Sequence, residues 1–152
     1  MDLRARIRHD TKEAMKVKDQ LRLSTLRLIG AALKDREIAL RGENGAELTE
    51  DDLIALMSKM VKQRQESTRA YEEGGRLELA EREQAEIAII QDYLPRQLEP
   101  AEIAAVIDAV IGELGASSVR DMGRVMAALR ERHAGQMDFG AAGGVVKKRL
   151  MG

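Results

Sequence analysis

The sequence predicts an all-α protein built from an N-terminal helical hairpin or bundle and a small C-terminal three-helix unit. Apolar residues recur at intervals of three and four along the chain, and no segment shows the strict alternation of a strand. Charged residues make up 34% of the chain and there are only two prolines, a mix that favours helices. Aromatic residues are only 2%, so aliphatic side chains and flexible methionines must fill the core.

The first two predicted helices form an amphipathic pair. Leu3 and Ile7 begin the apolar face of the first helix. Asp19 is a suitable N-cap for a second helix, which is expected to run to about Arg41. The segment Gly42–Gly45 should end that helix, because its residues accept left-handed backbone angles.

Two more helices are expected before residue 94. Thr49 is an N-cap candidate, and the acidic residues 50–52 suit the positive end of the helix dipole in the first turn. This third helix should stop near Gly74–Gly75. The fourth should run from about Leu77 to Tyr93 and end before Pro95, because proline disfavours helix in the residue that precedes it.

The segment from Pro95 to Pro100 predicts a break between an N-terminal domain, 1–94, and a C-terminal domain, 95–152. Pro100 suits the first position of a fifth helix, where its missing N–H costs nothing, and Gly115 should close that helix. A sixth helix bears several arginines and follows the small residues after Gly115. Asp138 can cap the last helix, whose apolar face includes Gly143.

Net charge is −1, but the charge is unevenly distributed along the chain. Residues 1–42 contain 11 Lys or Arg and 6 Asp or Glu, whereas residues 43–94 contain 6 and 13. Residues 115–152 are basic again, with 7 Lys or Arg and 3 Asp or Glu. Such blocks either form ordinary solvated faces or present a basic surface to an anionic partner.

The sequence offers no catalytic, metal or cofactor motif. There is no cysteine, and the two histidines, His9 and His133, lack the spacing of metal ligands. The hydroxyls of Ser24, Ser117 and Ser118 have no base or lysine in a nucleophile motif, and the last two are better suited to capping a helix. We therefore expect no catalytic residue, no metal and no cofactor.

Acidic pairs and glycines do not change this conclusion. Glu72–Glu73 and Asp51–Asp52 are adjacent on helices, so their side chains diverge by about 100° and cannot converge on one substrate atom. The stretch Gly140–Gly144 lacks the Lys-Ser/Thr ending of a phosphate-binding loop. No long apolar run begins the chain, so we expect a soluble, cytoplasmic protein without a membrane partner.

The sequence resembles the YqeY-like family nearly from end to end. The combination of Tyr93-Leu94-Pro95 with the later Asp121–Met126 segment is more specific than either piece alone. The stretch Gly140–Gly144 departs from the pattern by its high glycine content. The matching pieces are Leu23–Ile29, Val61–Ser67, Tyr71–Arg76, Glu86–Pro95 and Gly115–Met126.

This resemblance implies a relation to tRNA-dependent amidation. The family is similar to the C-terminal tail domain of the B subunit of glutamyl-tRNA(Gln)/aspartyl-tRNA(Asn) amidotransferase, a domain associated with tRNA recognition. The family-level activity it implies is that of a carbon–nitrogen ligase with glutamine as nitrogen donor. Because the chain has neither a glutaminase motif nor an ATP-binding motif, we predict that it is not an enzyme.

The candidate site is a basic surface on the C-terminal unit. On an ideal helix Arg120 and Arg124 point away from the apolar face of Met122 and Met126, so they are free to contact a partner. With few aromatics for base stacking, we expect contacts to tRNA phosphates. The predicted RNA-binding residues are Arg120, Arg124, Arg130, Arg132, Lys147, Lys148 and Arg149.

Two other functions remain open at this point. The chain is alternatively a protein–protein adaptor that docks on an amidotransferase or a synthetase through its acidic middle region or its apolar faces. A stand-alone ligase is a third possibility, and it would require a pocket with convergent polar groups. Convergence of the C-terminal cations on one open surface favours RNA binding, whereas internal pairing of these cations favours the adaptor.

Overall fold

The computed structural model describes residues 2–43 and 47–152, and within them it confirms the all-α fold. The chain divides into two compact units, Met1–Leu94 and Pro95–Gly152. The N-terminal unit contains four helices: α1 Leu3–Lys16, α2 Gln20–Glu43, α3 Glu50–Glu73 and α4 Leu77–Gln91. The C-terminal unit contains α5 Pro100–Leu114, a 3-10 turn at Val119–Asp121, α6 Met122–Arg132 and α7 Phe139–Met151.

The helix starts of the N-terminal unit follow the predicted caps. The N–H of Arg22 donates to Asp19 Oδ1 at 3.2 Å. Thr49 and Asp52 form a reciprocal capping box, in which the N–H of each residue donates to the side chain of the other at 3.0 and 3.1 Å. These caps satisfy backbone donors that have no partner inside the helix.

Two predicted helix ends differ from the structure. Helix α4 ends at Gln91 rather than Tyr93, because the N–H of Tyr93 bonds to the carbonyl three residues back, at 3.0 Å, and tightens the last turn. Most of the left-handed turn predicted at Gly42–Gly45 lies outside the described residues. Gly42 itself is still helical, since α2 extends to Glu43.

The core of the N-terminal unit is almost entirely aliphatic. Helices α3 and α4 pack as a hairpin, and α1 packs on α2. The largest apolar side chains that are fully buried in this core are Leu26, Ile29, Met57 and Ile90, and the fully buried Thr25 donates its hydroxyl to the carbonyl of Leu21 at 2.9 Å. Methionine therefore occupies space that an aromatic ring often fills in other cores.

One tyrosine joins three segments of the N-terminal unit. Tyr93 is 4% exposed, and its hydroxyl donates to Asp10 Oδ2 at 2.6 Å. The guanidinium of Arg22 donates to the same hydroxyl at 3.2 Å, and Arg6 lies over the ring at 4.6 Å from its centroid. Burial, together with the hydrogen bond to Asp10, raises the pKa of Tyr93. The hydroxyl therefore stays protonated and links the end of α4 to α1 and α2.

A buried carboxylate joins α3 to α4. Glu86 is 8% exposed, and the guanidinium of Arg64 donates to it at 3.0 Å. Arg82, one turn earlier on α4, lies 3.6 Å from the other carboxylate oxygen. The charge of Glu86 is thus compensated where water is largely excluded, as a buried carboxylate requires.

The C-terminal unit has its own aliphatic core, lined by α5, α6 and α7. Gly115 ends α5 as predicted, and its φ of +62° is the left-handed conformation that glycine commonly adopts at helix ends. At Gly143 an added methyl group would lie 3.6 and 3.9 Å from the methyl groups of Met122 and Met126. Two methionine side chains of α6 therefore pack over Gly143, which lies in the predicted apolar face of α7.

The turn before α6 is organised by Asp121. Its carboxylate accepts hydrogen bonds from the N–H groups of Ser117, at 2.9 Å, and Ser118, at 3.3 Å. It also accepts one from the Arg124 guanidinium at 2.8 Å. The bond from Ser117, then those from Arg124 and Ser118, lower the pKa of Asp121 to about 2. The turn that carries Arg120 is thus held by a carboxylate that remains ionised.

We predict that Tyr93→Phe destabilises the protein by about 1–3 kcal/mol, the usual cost of leaving a buried polar partner unsatisfied. Urea unfolding followed by circular dichroism measures this change. Tyr71→Phe is the matched control, because the Tyr71 hydroxyl makes no hydrogen bond to the described residues. Equal stabilities of the two variants would show that the Asp10 contact does not stabilise the fold.

We predict that the C-terminal unit loses stability in acid through Asp121. Folding lowers the pKa of this carboxylate from 3.8 to about 2. Its contribution to the free energy of unfolding is therefore complete above about pH 4 and is lost as the pH falls through 2. Between pH 4 and pH 2, the melting temperature of the wild type should therefore approach that of Asp121→Asn.

The core methyl resonances of Val125 and Val146 report melting of this unit. Glu131→Gln removes an exposed carboxylate from the same unit and controls for net charge. If the difference in melting temperature between wild type and Asp121→Asn stayed constant from pH 4 to pH 2, Asp121 would not be the source of the loss of stability in acid.

Candidate nucleic-acid interface

All seven predicted RNA-binding cations are exposed to solvent. Arg120 lies in the 3-10 turn, and the other six lie on two helices. Helix α6 carries Arg124, Arg130 and Arg132, and helix α7 carries Lys147, Lys148 and Arg149.

Helices α6 and α7 run antiparallel, which sets the order of these cations on the surface. The start of α7 lies near the end of α6, because Arg130 sits 5.8 Å from the centroid of the Phe139 ring. Gly143, one turn further along α7, faces Met122 and Met126 near the start of α6. The 3-10 turn also contacts α7. The half of α7 that bears the lysines therefore extends toward the turn that bears Arg120.

Three of the seven cations are paired within the unit. Arg124 bonds to Asp121 at 2.8 Å and Arg132 bonds to Glu113 at 2.5 Å. Arg149 bonds to Asp108 of α5. This internal pairing reduces the open basic surface of the unit.

The side chains of Arg120, Lys147 and Lys148 form no ion pair with the described residues. All three are exposed, and they belong to the 3-10 turn and to the adjacent half of α7. We call these three residues the open basic group. No carboxylate of the unit neutralises their charge by direct contact; Arg130 has no ion pair with the described residues either, but it lies over the Phe139 ring.

The serine and histidine side chains considered as catalytic candidates either contact neighbouring residues or are exposed to solvent. Ser118 Oγ accepts the N–H of Arg120 at 3.3 Å, which is the capping role predicted for it. Ser24 Oγ donates to the carbonyl of Leu21 at 3.1 Å. His133 Nδ1 lies 3.0 Å from Gln136 Oε1, and His9 is exposed on α1.

The described residues contain no group of three or more His, Cys, Asp or Glu side chains arranged to hold a metal ion. Of the acidic pairs, Asp52 belongs to the Thr49 capping box, and Glu72 accepts a hydrogen bond from Gln84 at 3.4 Å. These carboxylates thus act within local structure, as their divergence on the helix predicts.

Sequence reasoning missed the carboxylates that pair with the basic residues. Glu113 lies 19 residues before Arg132, and Asp108 lies 41 residues before Arg149. No local spacing relates such residues, since the packing of α5 brings them together. Only the Asp121–Arg124 pair, three residues apart on one helical turn, had a signal in the sequence.

A model of the family described as "Yqey-like protein" matches residues 4–150 of the chain. Several curated relatives are named "Altered inheritance of mitochondria protein 41, mitochondrial". The protein of Lachancea thermotolerans is 37% identical over 114 residues, which cover 75% of this chain and 58% of the relative. That of Eremothecium gossypii is 35% identical over 115 residues, covering 74% and 61%.

A third relative, from Vanderwaltozyma polyspora, is 31% identical over 110 residues, which cover 71% of this chain and 58% of that protein. The chain thus spans about three fifths of the length of these relatives. Within the described residues, no helix is both long enough and apolar enough to cross a membrane.

The cytoplasmic location expected from the sequence is wrong by this comparison, because the relatives are named as mitochondrial proteins. That expectation rested on composition and on the apolar content of the first residues. Neither property distinguishes one aqueous compartment from another.

The family relation rests on nearly the whole length of the chain. The match over residues 4–150 includes all four helices of the N-terminal unit from their first turns and all three helices of the C-terminal unit. This chain belongs to the YqeY-like family.

Proposed function

We propose that this chain is a non-catalytic, RNA-associated protein whose C-terminal unit contacts tRNA phosphates. The observation that carries the proposal is the open basic group: three exposed cations, Arg120, Lys147 and Lys148, on neighbouring elements and without ion pairs to the described residues. Cations of this kind release counterions when they meet phosphates, which is the main source of affinity for nucleic acids.

The backbone around this group supports a defined geometry. Asp121 and Ser118 hold the 3-10 turn through hydrogen bonds to its N–H groups, so Arg120 projects from a fixed position. Lys147 and Lys148 lie on α7 next to the buried Val146, which anchors that part of the helix in the core. Binding then requires little ordering of the backbone, so little affinity is lost to conformational entropy.

The four remaining cations of the predicted site should contribute less. Arg124, Arg132 and Arg149 each have a carboxylate partner at the surface. Such exposed pairs are weak, about 0–1 kcal/mol, so phosphates can compete for them. Arg130 lies over the Phe139 ring and keeps its charge available at the rim of the surface.

The adaptor remains the second candidate function, and one observation favours it. Internal pairing of three cations leaves the C-terminal unit with a smaller open basic surface than its composition suggested. An adaptor would dock on an amidotransferase or a synthetase, the partners implied by the family resemblance, and would do so without RNA.

We predict that replacing the open basic group weakens tRNA binding. Arg120→Ala/Lys147→Ala/Lys148→Ala should lower affinity and make the slope of log affinity against log salt less negative by about 2 to 3, the contribution of three phosphate contacts. Fluorescence anisotropy with labelled tRNA over a series of salt concentrations measures both quantities. The loss should be similar for different tRNA species, because phosphate contacts carry no sequence information.

Lys12→Ala/Lys59→Ala/Arg69→Ala is the matched control for this experiment. It removes three exposed cations from the N-terminal unit and changes net charge equally. The control should keep the wild-type affinity and salt dependence. Equal binding by wild type and the open-basic-group variant would eliminate this surface as an RNA site. Binding to an amidotransferase or synthetase in the absence of RNA would then establish the adaptor.

We predict no intrinsic amidation or glutaminase activity. Purified protein with glutamine, ATP and misacylated tRNA should give no turnover above a protein-free blank, because no serine is activated and no ATP-binding motif is present. Ammonia release and amidated aminoacyl-tRNA are the two readouts. Turnover that copurifies with the chain and is abolished by Ser117→Ala or Ser118→Ala would overturn this assignment.

A further inference from the structure

The outer side of α2 carries a row of exposed residues with the spacing of a helix-pairing seam. The row consists of Arg27, Ala31, Lys34, Ile38 and Arg41, at alternating intervals of four and three residues. At 100° per residue they fall within an arc of about 80°. All five are exposed, and Ile38 is 57% exposed. We call them the basic row.

Alternation of four and three is the period with which paired helices bury their contact residues. In α2 the residues that face the core of the unit lie on another side, as the buried Leu26, Ile29 and Leu33 show. The basic row thus repeats a packing period on a face that the unit leaves open to solvent.

The cations of the basic row differ from other cations of the same unit. Arg4 pairs with Glu37, and Arg22 lies 3.6 Å from Asp10. In contrast, Arg27, Lys34 and Arg41 form no ion pair with the described residues. A surface that is acidic and partly apolar would complement these three cations, which stand at seven-residue intervals beside the apolar Ala31 and Ile38.

Helix α4 presents a surface of that chemistry. Leu77, Glu81, Gln84 and Ala88 follow the same alternation of four and three, and all four are exposed, Leu77 by 62%. Glu78 is also exposed; it lies three residues before Glu81 at the edge of this row, about 100° around the helix from Leu77. We call these five residues the acidic row.

The two rows are similar in length and opposite in charge, with three cations on one and two carboxylates on the other. At 1.5 Å per residue, the basic row extends over about 21 Å and the acidic row over about 16 Å. Carboxylates can face the cations while Leu77 and Ala88 meet Ile38 and Ala31. Either row facing its own copy would place like charges together, which opposes a symmetric contact.

We propose that the basic row of one molecule docks on the acidic row of a second copy of this chain. The contact joins two different surfaces, so the pair keeps one free acidic row on the first molecule and one free basic row on the second. Such head-to-tail contacts build rings or open chains rather than closed dimers. Exposed ion pairs are weak and are screened by salt, so the association should be concentration-dependent and stronger at low ionic strength.

Sedimentation velocity of the full chain tests this proposal. At 20 mM salt the average mass should rise with protein concentration, and at 1 M salt the rise should be greatly reduced. Arg27→Glu/Lys34→Glu/Arg41→Glu should be monomeric at both salt concentrations. Glu78→Lys/Glu81→Lys should behave in the same way, because it makes both rows basic.

Mixing the two charge-reversed variants is the decisive experiment. In the mixture, the reversed basic row of one variant faces the reversed acidic row of the other, and their unreversed rows also match. Mixed species should therefore form although neither variant self-associates. Lys12→Glu/Lys59→Glu/Arg69→Glu reverses three other exposed cations of this unit and should self-associate as the wild type does. Circular dichroism confirms that every variant is folded.

Three results would overturn the proposal. One is a wild-type protein that sediments as a monomer at every concentration at low salt. Another is a pair of folded, charge-reversed variants that do not associate when mixed. The third is a triple basic-row variant that loses tRNA affinity while the wild type stays monomeric, since the row would then bind nucleic acid rather than a second copy.

Discussion

The carboxylate of Asp121 is the contact on which the candidate RNA surface depends. It accepts two backbone N–H groups before α6 and one arginine on its first turn. These donors keep it ionised at neutral pH. The turn that results both presents Arg120 and starts α6, whose apolar side then packs against α7. The lysines of α7 are consequently placed by the same packing that Asp121 initiates.

The N-terminal unit uses a similar solution with a different residue. Tyr93 follows α4, and its hydroxyl bonds to Asp10 of α1 and to Arg22 of α2. In a chain with so few aromatic residues, one tyrosine fixes three helices through polar contacts, while aliphatic side chains fill the core. In both units, then, one oxygen-bearing side chain positions helices whose apolar faces alone would permit sliding.

Features that depend on neighbouring residues were predictable from the sequence. Apolar spacing indicated the helices, and Asp19, Thr49, Ser118 and Asp138 were recognised as caps because a cap needs only residues two or three positions away. The helix end at Gly115 was recognised for the same reason. Contacts between distant residues carried no such signal. The Tyr93–Asp10 bond spans 83 residues and the Arg149–Asp108 pair spans 41, so only the packed fold identifies them. The sequence therefore predicted a basic site without separating paired from open cations.

Backbone amide chemical shifts of the full chain during titration with tRNA test the central claim most directly, because they report each residue separately. The account predicts that the largest changes occur at Arg120, Lys147 and Lys148, with smaller changes at Arg132 and Arg149, whose charges are already paired. Changes confined to the N-terminal unit, or no changes at saturating tRNA, would contradict it.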